Sequence, residues 1–355
     1  MTNACSSISE LCKAYPRGGK SLKKAFHVFN TTHAIAWFEK RGVPLVAEED
    51  GRVFPVSNNS QSIIDCLMNE TKKLKIEIKL GVAIKSIKQV GEQIELQFAN
   101  GEFKPILFDK VIIASGGYPK REGFEWLEVL GHKIENPVPS LFTFNMPSEN
   151  ITKLMGVVAK NTLVSIQGTK LKSEGPLLIT HWGMSGPAIL KLSAFGARTL
   201  NEMGYEFKVQ VNWVNESNND VVMDALEIIV EEHSKKLISN IKPYLLTERL
   251  WLFLVEKCEI PLEKKWGELG KKNLNKLITV LTNDVYAVKG KTTFKEEFVT
   301  CGGVCLESVD MNTMQSKVCK NLYFAGEILD IDAITGGYNF QAAWTTGFIA
   351  GGLRN

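Results

Sequence analysis

Apolar positions along this chain recur with two different periods, and the places where the period changes outline its elements. Three- and four-residue spacing predicts a helix over Ser21–Phe29, a second running from a cap at Asn30, Thr31 or Thr32 to Gly42, and a third over Ser60–Lys73. Glu49-Asp50-Gly51 separates Val43–Val46 from Arg52–Val56, as a hairpin turn separates two strands. The alternation of Ile76-Glu77-Ile78-Lys79-Leu80 predicts a strand. Ala83–Val90 and Ile94–Phe98 follow as a meander turning at Gly91 and Asn100-Gly101. Val111-Ile112-Ile113-Ala114, apolar without a break, suits a strand buried on both faces.

From Pro137-Val138-Pro139 onward the pattern shifts to short alternating strands over Leu141–Asn145, Val157–Gln167, Leu177–Thr180 and Tyr205–Val211, interrupted by one helix over Gly186–Asn201. This texture is barrel-like or sandwich-like. Between Ser217 and Leu281 helical spacing returns, as in Val221, Val222, Ala225, Leu226 and Ile229, and predicts several packed helices. Strand texture resumes near Thr292–Val299. Asn321–Ala325 reads as another buried strand, and a closing helix runs from about Asn339 to Ala350. The expected class is α/β, with one domain interrupted by a long insertion that holds a β-barrel and a helical subdomain.

Composition narrows this picture only a little. At 355 residues the chain exceeds one ordinary core, so two or three domains are expected. A content of 44% hydrophobic and 23% charged residues excludes disordered and fibrous classes. The net charge of +3 is nearly balanced. The lysines from Lys257 to Lys295 alternate with Leu, Trp and Ile as on a solvated helix face, so no nucleic-acid partner is expected. No apolar run approaches the ~20 residues of a membrane span, and Met1–Cys12 has no secretory pattern, so a cytoplasmic location is expected with no membrane partner. Seven cysteines without a Cys-x-x-Cys pair fit a reducing compartment, and no metal site is expected.

Three segments carry candidate chemistry. Asp109–Gly117 is a strand ending in Ala114, Ser115, Gly116 and Gly117, where missing side chains let backbone approach a flat cofactor or its phosphates. A plain strand exit would read the same way. Leu322–Gln341 combines a strand, an acid just past its end in Gly326-Glu327, and Gly336-Gly337 opening a helix. The acid can accept from sugar-like hydroxyls, and amides at a helix start favour an anion; a tight loop with a surface acid is the alternative. In Thr180–Ala188, Ser185 is a cap candidate and Pro187 suits a first helical turn, while His181 can serve proton transfer or be structural. Cys301-Gly302-Gly303 reads as a flexible turn with a candidate thiol.

Two familiar motifs fail. Gly18-Gly19-Lys20-Ser21 ends like a phosphate-binding loop, but Ala14 stands where that loop requires glycine and no strand precedes it. No two glycines are separated by a single residue, so Gly-x-Gly-x-x-Gly does not occur in these 355 residues.

Taken together, Thr2-Asn3-Ala4-Cys5, Tyr15-Pro16-Arg17-Gly18, Gly51–Pro55, Ala114–Gly117, His181–Ala188 and Gly326–Gln341 resemble the bacterial BaiN-like, or aminoacetone-oxidase-like, NAD(P)/FAD-dependent flavoproteins. The resemblance implies a glutathione-reductase-like FAD domain over 1–137 and 300–355, split by an insertion over 138–299. Within the insertion the β-barrel is expected over 138–214 and 291–299, and the helical subdomain over 215–290. By position it implies FAD contacts at Thr2, Asn3, Val82, Ala114, Ser115, Gly116, Gly117, Gly326, Glu327, Gly336, Gly337, Tyr338 and Asn339, with His181 and Cys301 as catalytic candidates. It also implies NAD(P)H as a possible donor and a small-molecule substrate. The family's first strand–helix–strand unit is expected to be missing. Two readings therefore stand side by side: an FAD-dependent oxidoreductase, or a truncated remnant that does not hold FAD. A third, an interaction module reusing the remnant, is weaker. Oligomeric state is left open.

Overall fold

The computed structural model describes residues 1–99, 103–292 and 299–352. It divides into two compact units, Met1–Pro139 with Val299–Asn355, and Ser140–Phe298.

In the first unit, β1 (Thr2–Asn3) precedes three short helices, α1 (Ile8–Lys13), α2 (Gly19–Val28) and α3 (Thr31–Glu39). Leu22, Ala25 and Phe26 put one apolar face of α2 into the core. Asn30 caps α3 in a reciprocal box with His33, each side chain accepting from the other residue's backbone N–H. The hairpin β2 (Leu45–Ala47) and β3 (Arg52–Pro55) joins β1 in a three-stranded antiparallel sheet. After α4 (Gln61–Lys73) comes the meander β4 (Ile84–Val90), β5 (Gln93–Phe98) and β6 (Ile106–Phe108), followed by β7 (Val111–Ile113), α5 (Glu125–Glu128) and β8 (Ile134–Ser140).

The second unit is built on seven antiparallel strands: β9 (Thr143–Asn145), β10 (Val158–Ile166), β11 (Lys172–Ile179), β12 (Gly183–Ser185), β13 (Glu206–Asn212), β14 (Asp284–Lys289) and β15 (Lys291–Thr292). Their order is β14-β13-β10-β11-β12-β9-β15, and among the described residues β14 and β15 share no ladder. Helix α6 (Pro187–Glu202) buries Ile189, Leu192 and Leu200, while α7 (Asn219–His233), α8 (Glu248–Lys257) and α9 (Gly270–Thr282) bring in Trp251 and, from the loop before α9, Trp266, stacked at 5.9 Å. The buried Asp284 carboxylate accepts from Trp213 Nε1 at 2.9 Å and from the Tyr286 hydroxyl and Lys257 Nζ, tying α8 to β14.

The chain returns to the first unit with β16 (Val299–Val304), paired to β8, then β17 (Val309–Asp310), β18 (Gln315–Ser316), β19 (Leu322–Phe324) and the helix α10 (Tyr338–Gly351). The sheet β17-β18-β19-β7 joins β19 to β7 in parallel, with Leu322 opposite Val111, Tyr323 opposite Ile112 and Phe324 opposite Ile113.

Several expectations change. Ile76–Leu80 is extended but enters no ladder, and all five residues are exposed. Ile112 is 39% exposed, because β7 ends its sheet, with no second neighbour among the described residues. Ser185 ends β12 and does not cap α6, whose cap position is Gly186. Cys301-Gly302-Gly303 is no turn: the three lie inside β16, where a Cβ on Gly302 would sit 2.5 Å from the Asn136 carbonyl. The expected strand at 292–299 falls largely on 293–298, outside the described residues. Among the described residues no helix is long and apolar enough to cross a membrane.

One buried imidazole links this core to pH. His132 lies edge-on to Phe324, its ring nitrogens facing the hydroxyls of Ser308 and Ser316 at 3.3 and 3.1 Å. Burial pushes its pKa down to about 4. The unfolded chain, with an ordinary imidazole near 6.5, therefore binds the proton first as pH falls. This contribution to stability is complete above pH ~6.5 and declines toward pH ~4. Urea unfolding at pH 7 and pH 5 should show about 2 kcal/mol less stability at the lower pH from this group. His132→Asn should remove most of that difference.

Candidate functional site

Parallel strands that end in glycine turns bring backbone amides to one place, and β7 and β19 do so here. Ala114–Gly117 leaves β7 and Ala325–Glu327 leaves β19, with the Ala325 N–H donating to the Ile113 carbonyl at 2.9 Å. Gly116 and Gly326 have φ of +77° and +76°, a conformation that L side chains rarely adopt. A Cβ on Gly116 would meet no atom within 4 Å, and one on Gly326 would meet only Ala343 at 3.7 Å. Both backbones thus face open space.

That space is a hollow of about 520 Å³, within the usual range for small-molecule sites. Ala114, Gly116, Ala325, Gly326 and Glu327 form one end. The walls are aromatic: Phe29, Trp37 and Phe38 with Trp344 and Phe348 of α10, Phe348 stacking on Phe29 at 4.4 Å and Trp344 meeting Phe38 edge-on at 5.4 Å. Glu327 is held in place by the Thr300 N–H, which donates to its Oε1 at 2.9 Å, and Gly117 packs between these two residues. Among the described residues no Arg or Lys lines the hollow, and its one charged side chain is the Glu327 carboxylate.

A second group of expected residues gathers at the start of α10. A Cβ on Gly337, at φ +87°, would lie 2.2 Å from the Thr2 carbonyl oxygen. Thr2 Oγ1 donates to Gln341 Oε1 at 2.5 Å, and Asn3 Nδ2 donates to the Gly336 carbonyl at 3.0 Å while its Oδ1 accepts from Cys5 N–H. Asn339 bonds the Ala333 backbone through both amide atoms. The side chains of Thr2, Asn3 and Asn339 are therefore engaged with the fold itself. Tyr15 donates from its hydroxyl to the Tyr338 carbonyl at 2.6 Å, and Arg17 forms a forked ion pair with the buried Asp332. Tyr338 keeps an exposed part, and its hydroxyl makes no hydrogen bond among the described residues. Burial, with Cys5 and Asp50 nearby, raises its pKa and keeps it protonated at neutral pH.

The turns at Gly326 and Gly336-Gly337 are joined by α10. Its Thr346 hydroxyl accepts from Gly326 N–H at 2.8 Å, and Ala343 stands five residues, roughly 8 Å of helix, beyond Tyr338. Other expected residues lie apart. Ser115 is exposed, and Val82 lines a separate hollow of about 490 Å³ with Phe98, Phe103 and Phe108. His181 is exposed in the second unit, its ring edge-on to Trp182 at 3.9 Å. Cys301 is fully buried in β16, which shields its thiol from reagents. The aromatic walls were missed from sequence, since Phe29, Trp37, Phe38, Trp344 and Phe348 carry the same local pattern as core residues. Among the described residues no cluster of three or more metal-ligating side chains occurs.

A model of the family described as the HI0933-like protein Rossmann domain matches residues 1–353. The 3-dehydro-bile acid delta(4,6)-reductase of Clostridium scindens is 27% identical over 344 residues, 95% of this chain and 82% of the relative. The ribosomal RNA dihydrouridine synthase of Escherichia coli is 27% identical over 325 residues, 88% of this chain and 74% of that protein. Its namesake in Haemophilus influenzae is 24% identical over 336 residues, 92% and 80% of the two chains.

The two glycine positions should respond differently to a methyl group. Gly337→Ala, blocked by the Thr2 backbone, should cost about 2–3 kcal/mol in chemical denaturation and speed hydrogen exchange around Thr2 and Asn3. Gly116→Ala, with space around it, should cost only about 1 kcal/mol and leave exchange at Thr2 unchanged.

Proposed function

The chain belongs to the HI0933-like Rossmann-domain family, and on that footing we propose that it is a flavin-dependent reductase holding FAD at the joined ends of β7 and β19. The observation that carries this reading is the pair of left-handed glycines, Gly116 and Gly326, opening side by side into an aromatic-walled hollow at the carboxyl end of a parallel strand pair. Flat cofactor rings suit the walls, ribityl or ribose hydroxyls suit the Glu327 carboxylate, and the diphosphate would rest on the turn at Gly116, the Gly326 N–H being bonded to Thr346. The residues present fit FAD on these grounds. When bound, the flavin supplies hydride transfer.

In this reading residues 1–137 and 300–355 form a discontinuous FAD domain of BaiN-like type, and 138–299 is an insertion with barrel-like and helical parts. NAD(P)H is the assigned electron donor. The named activities of the relatives, a delta(4,6)-reductase and two dihydrouridine synthases, both describe saturation of a ring carbon–carbon double bond. A small molecule carrying such a bond conjugated to a carbonyl is the proposed substrate class. The chain's own contribution is to orient the ring, exclude water with Trp37 and Trp344, and supply a proton. Tyr338, protonated and with a hydroxyl that makes no hydrogen bond among the described residues, is assigned that proton; His181 is the second candidate, and Cys301 has a packing role.

Titration with FAD should quench tryptophan fluorescence through Trp37 and Trp344, and Trp344→Ala should weaken binding at least ~10-fold, about 1.4 kcal/mol. Tyr338→Phe should leave FAD binding unchanged and slow alkene reduction by ~10²-fold or more. A protein that stays colourless and unquenched in saturating FAD overturns the flavin reading. Unchanged turnover in His181→Ala removes that residue.

A further inference from the structure

Residues 14–18 cross residues 331–338 in the antiparallel sense, just ahead of α10. The Ile334 N–H donates to the Ala14 carbonyl at 2.9 Å, and Arg17 meets Asp332 through both a backbone bridge and the forked ion pair. Gly18 passes so close to Ile331 that a Cβ would stand 2.7 Å from its Cγ1, and one on Gly19 would stand 2.5 Å from the Cys12 carbonyl oxygen. The two glycines that resemble the end of a phosphate loop thus serve close packing.

The crossing ends on Tyr338. Tyr15, only 5% exposed, donates its hydroxyl to the Tyr338 carbonyl at 2.6 Å across 323 positions of sequence. Burial raises the Tyr15 pKa, so the hydroxyl keeps the proton it donates. That carbonyl opens the ladder of α10, where the Ala342 N–H is already its helical partner. The Tyr15 hydroxyl takes the second lone pair, a bond the helix itself does not require. The two side chains also touch. The Tyr15 ring, set against Phe26 at 5.5 Å, meets the Tyr338 ring edge-on at 6.3 Å. Gly336, at φ +123°, approaches the same ring so closely that a Cβ would lie 2.9 Å from its Cε2. A residue that follows two glycines would otherwise swing freely.

We propose that Tyr15 is a positioning residue for Tyr338: it clamps the Tyr338 backbone and, together with Gly336, holds the phenol ring in one orientation with its hydroxyl left open. The clamp stands on these contacts alone; its use in turnover rests on the reading of Tyr338 as the proton source. A donor held in one orientation meets its acceptor without first losing rotational freedom, and a displacement of about 1 Å can cost ~10²-fold in rate.

The test begins with Tyr15→Phe, which deletes one hydroxyl and keeps the ring. The groups that act on the Tyr338 phenol, Cys5 ahead of α1 and Asp50 in the β2–β3 turn, stay in place. The phenolate absorbance of Tyr338, taken as the difference with and without Tyr338→Phe, should titrate nearer the ordinary value of 10, because the freed ring gains water. In alkene reduction kcat should fall at least ~10-fold, with KM and FAD affinity kept within about twofold. In the Tyr338→Phe background the same substitution should cost no further rate. Gly336→Ala crowds the ring without touching Tyr15 and should move the titration and kcat in the same direction, which keeps the test decisive if Tyr15→Phe folds poorly. A titration unmoved in both variants overturns the clamp. Equal rate loss with and without the Tyr338 hydroxyl overturns its role in turnover and leaves Tyr15 as core packing. Full turnover in Tyr338→Phe overturns the proton reading instead, while the titration still decides the clamp.

Discussion

At the start of α10 the backbone of Gly337 presses against the carbonyl of Thr2, a separation no side chain tolerates. Around it Thr2 bonds Gln341, Asn3 bonds Gly336, and the Trp344 indole donates to the Met1 carbonyl. These contacts join residues more than 330 positions apart, and they fix the axis of α10 relative to β1 and β3. From the same helix Thr346 reaches the Gly326 amide, so the turn after β19 is held by the brace as well. The hollow owes its shape to this chain of contacts: if α10 tilted, Trp344 and Phe348 would leave the walls and Gly326 would lose its partner.

The brace also gives the polar side chains around it partners within the fold. Buried polar atoms must find partners, and Thr2, Asn3, Asn339 and Asp332 find theirs within the protein. What remains for a ligand is backbone at Gly116, one anchored carboxylate at Glu327, and aromatic surface. That division of labour gives recognition by shape and stacking more weight than recognition by charge.

The second unit solves a different problem. Its antiparallel strands β13 and β14 pair from Glu206–Lys289 to Val211–Asp284, and its core buries Trp213 together with the stacked Trp251 and Trp266. A single buried carboxylate, Asp284, is matched by three donors, so the core gains orientation without an unpaired charge.

Local pattern by itself determined much of the element list. The Asn30 cap, the Asp50-Gly51 hairpin, the helix before Lys73, the buried β19 strand and the closing helix all follow from spacing and turn chemistry that act over a few residues. It also marked Gly116, Gly326 and Glu327, because a strand ending in small residues is visible as such. Whether a strand finds a neighbour is a property of the whole sheet. That is why Ile76–Leu80 alternates without pairing and Ile112 is apolar yet exposed. Nor does spacing separate an aromatic residue that lines a hollow from one that fills a core, so Trp37 and Trp344 became recognisable only when α3, α10 and the two glycine turns were brought together in space.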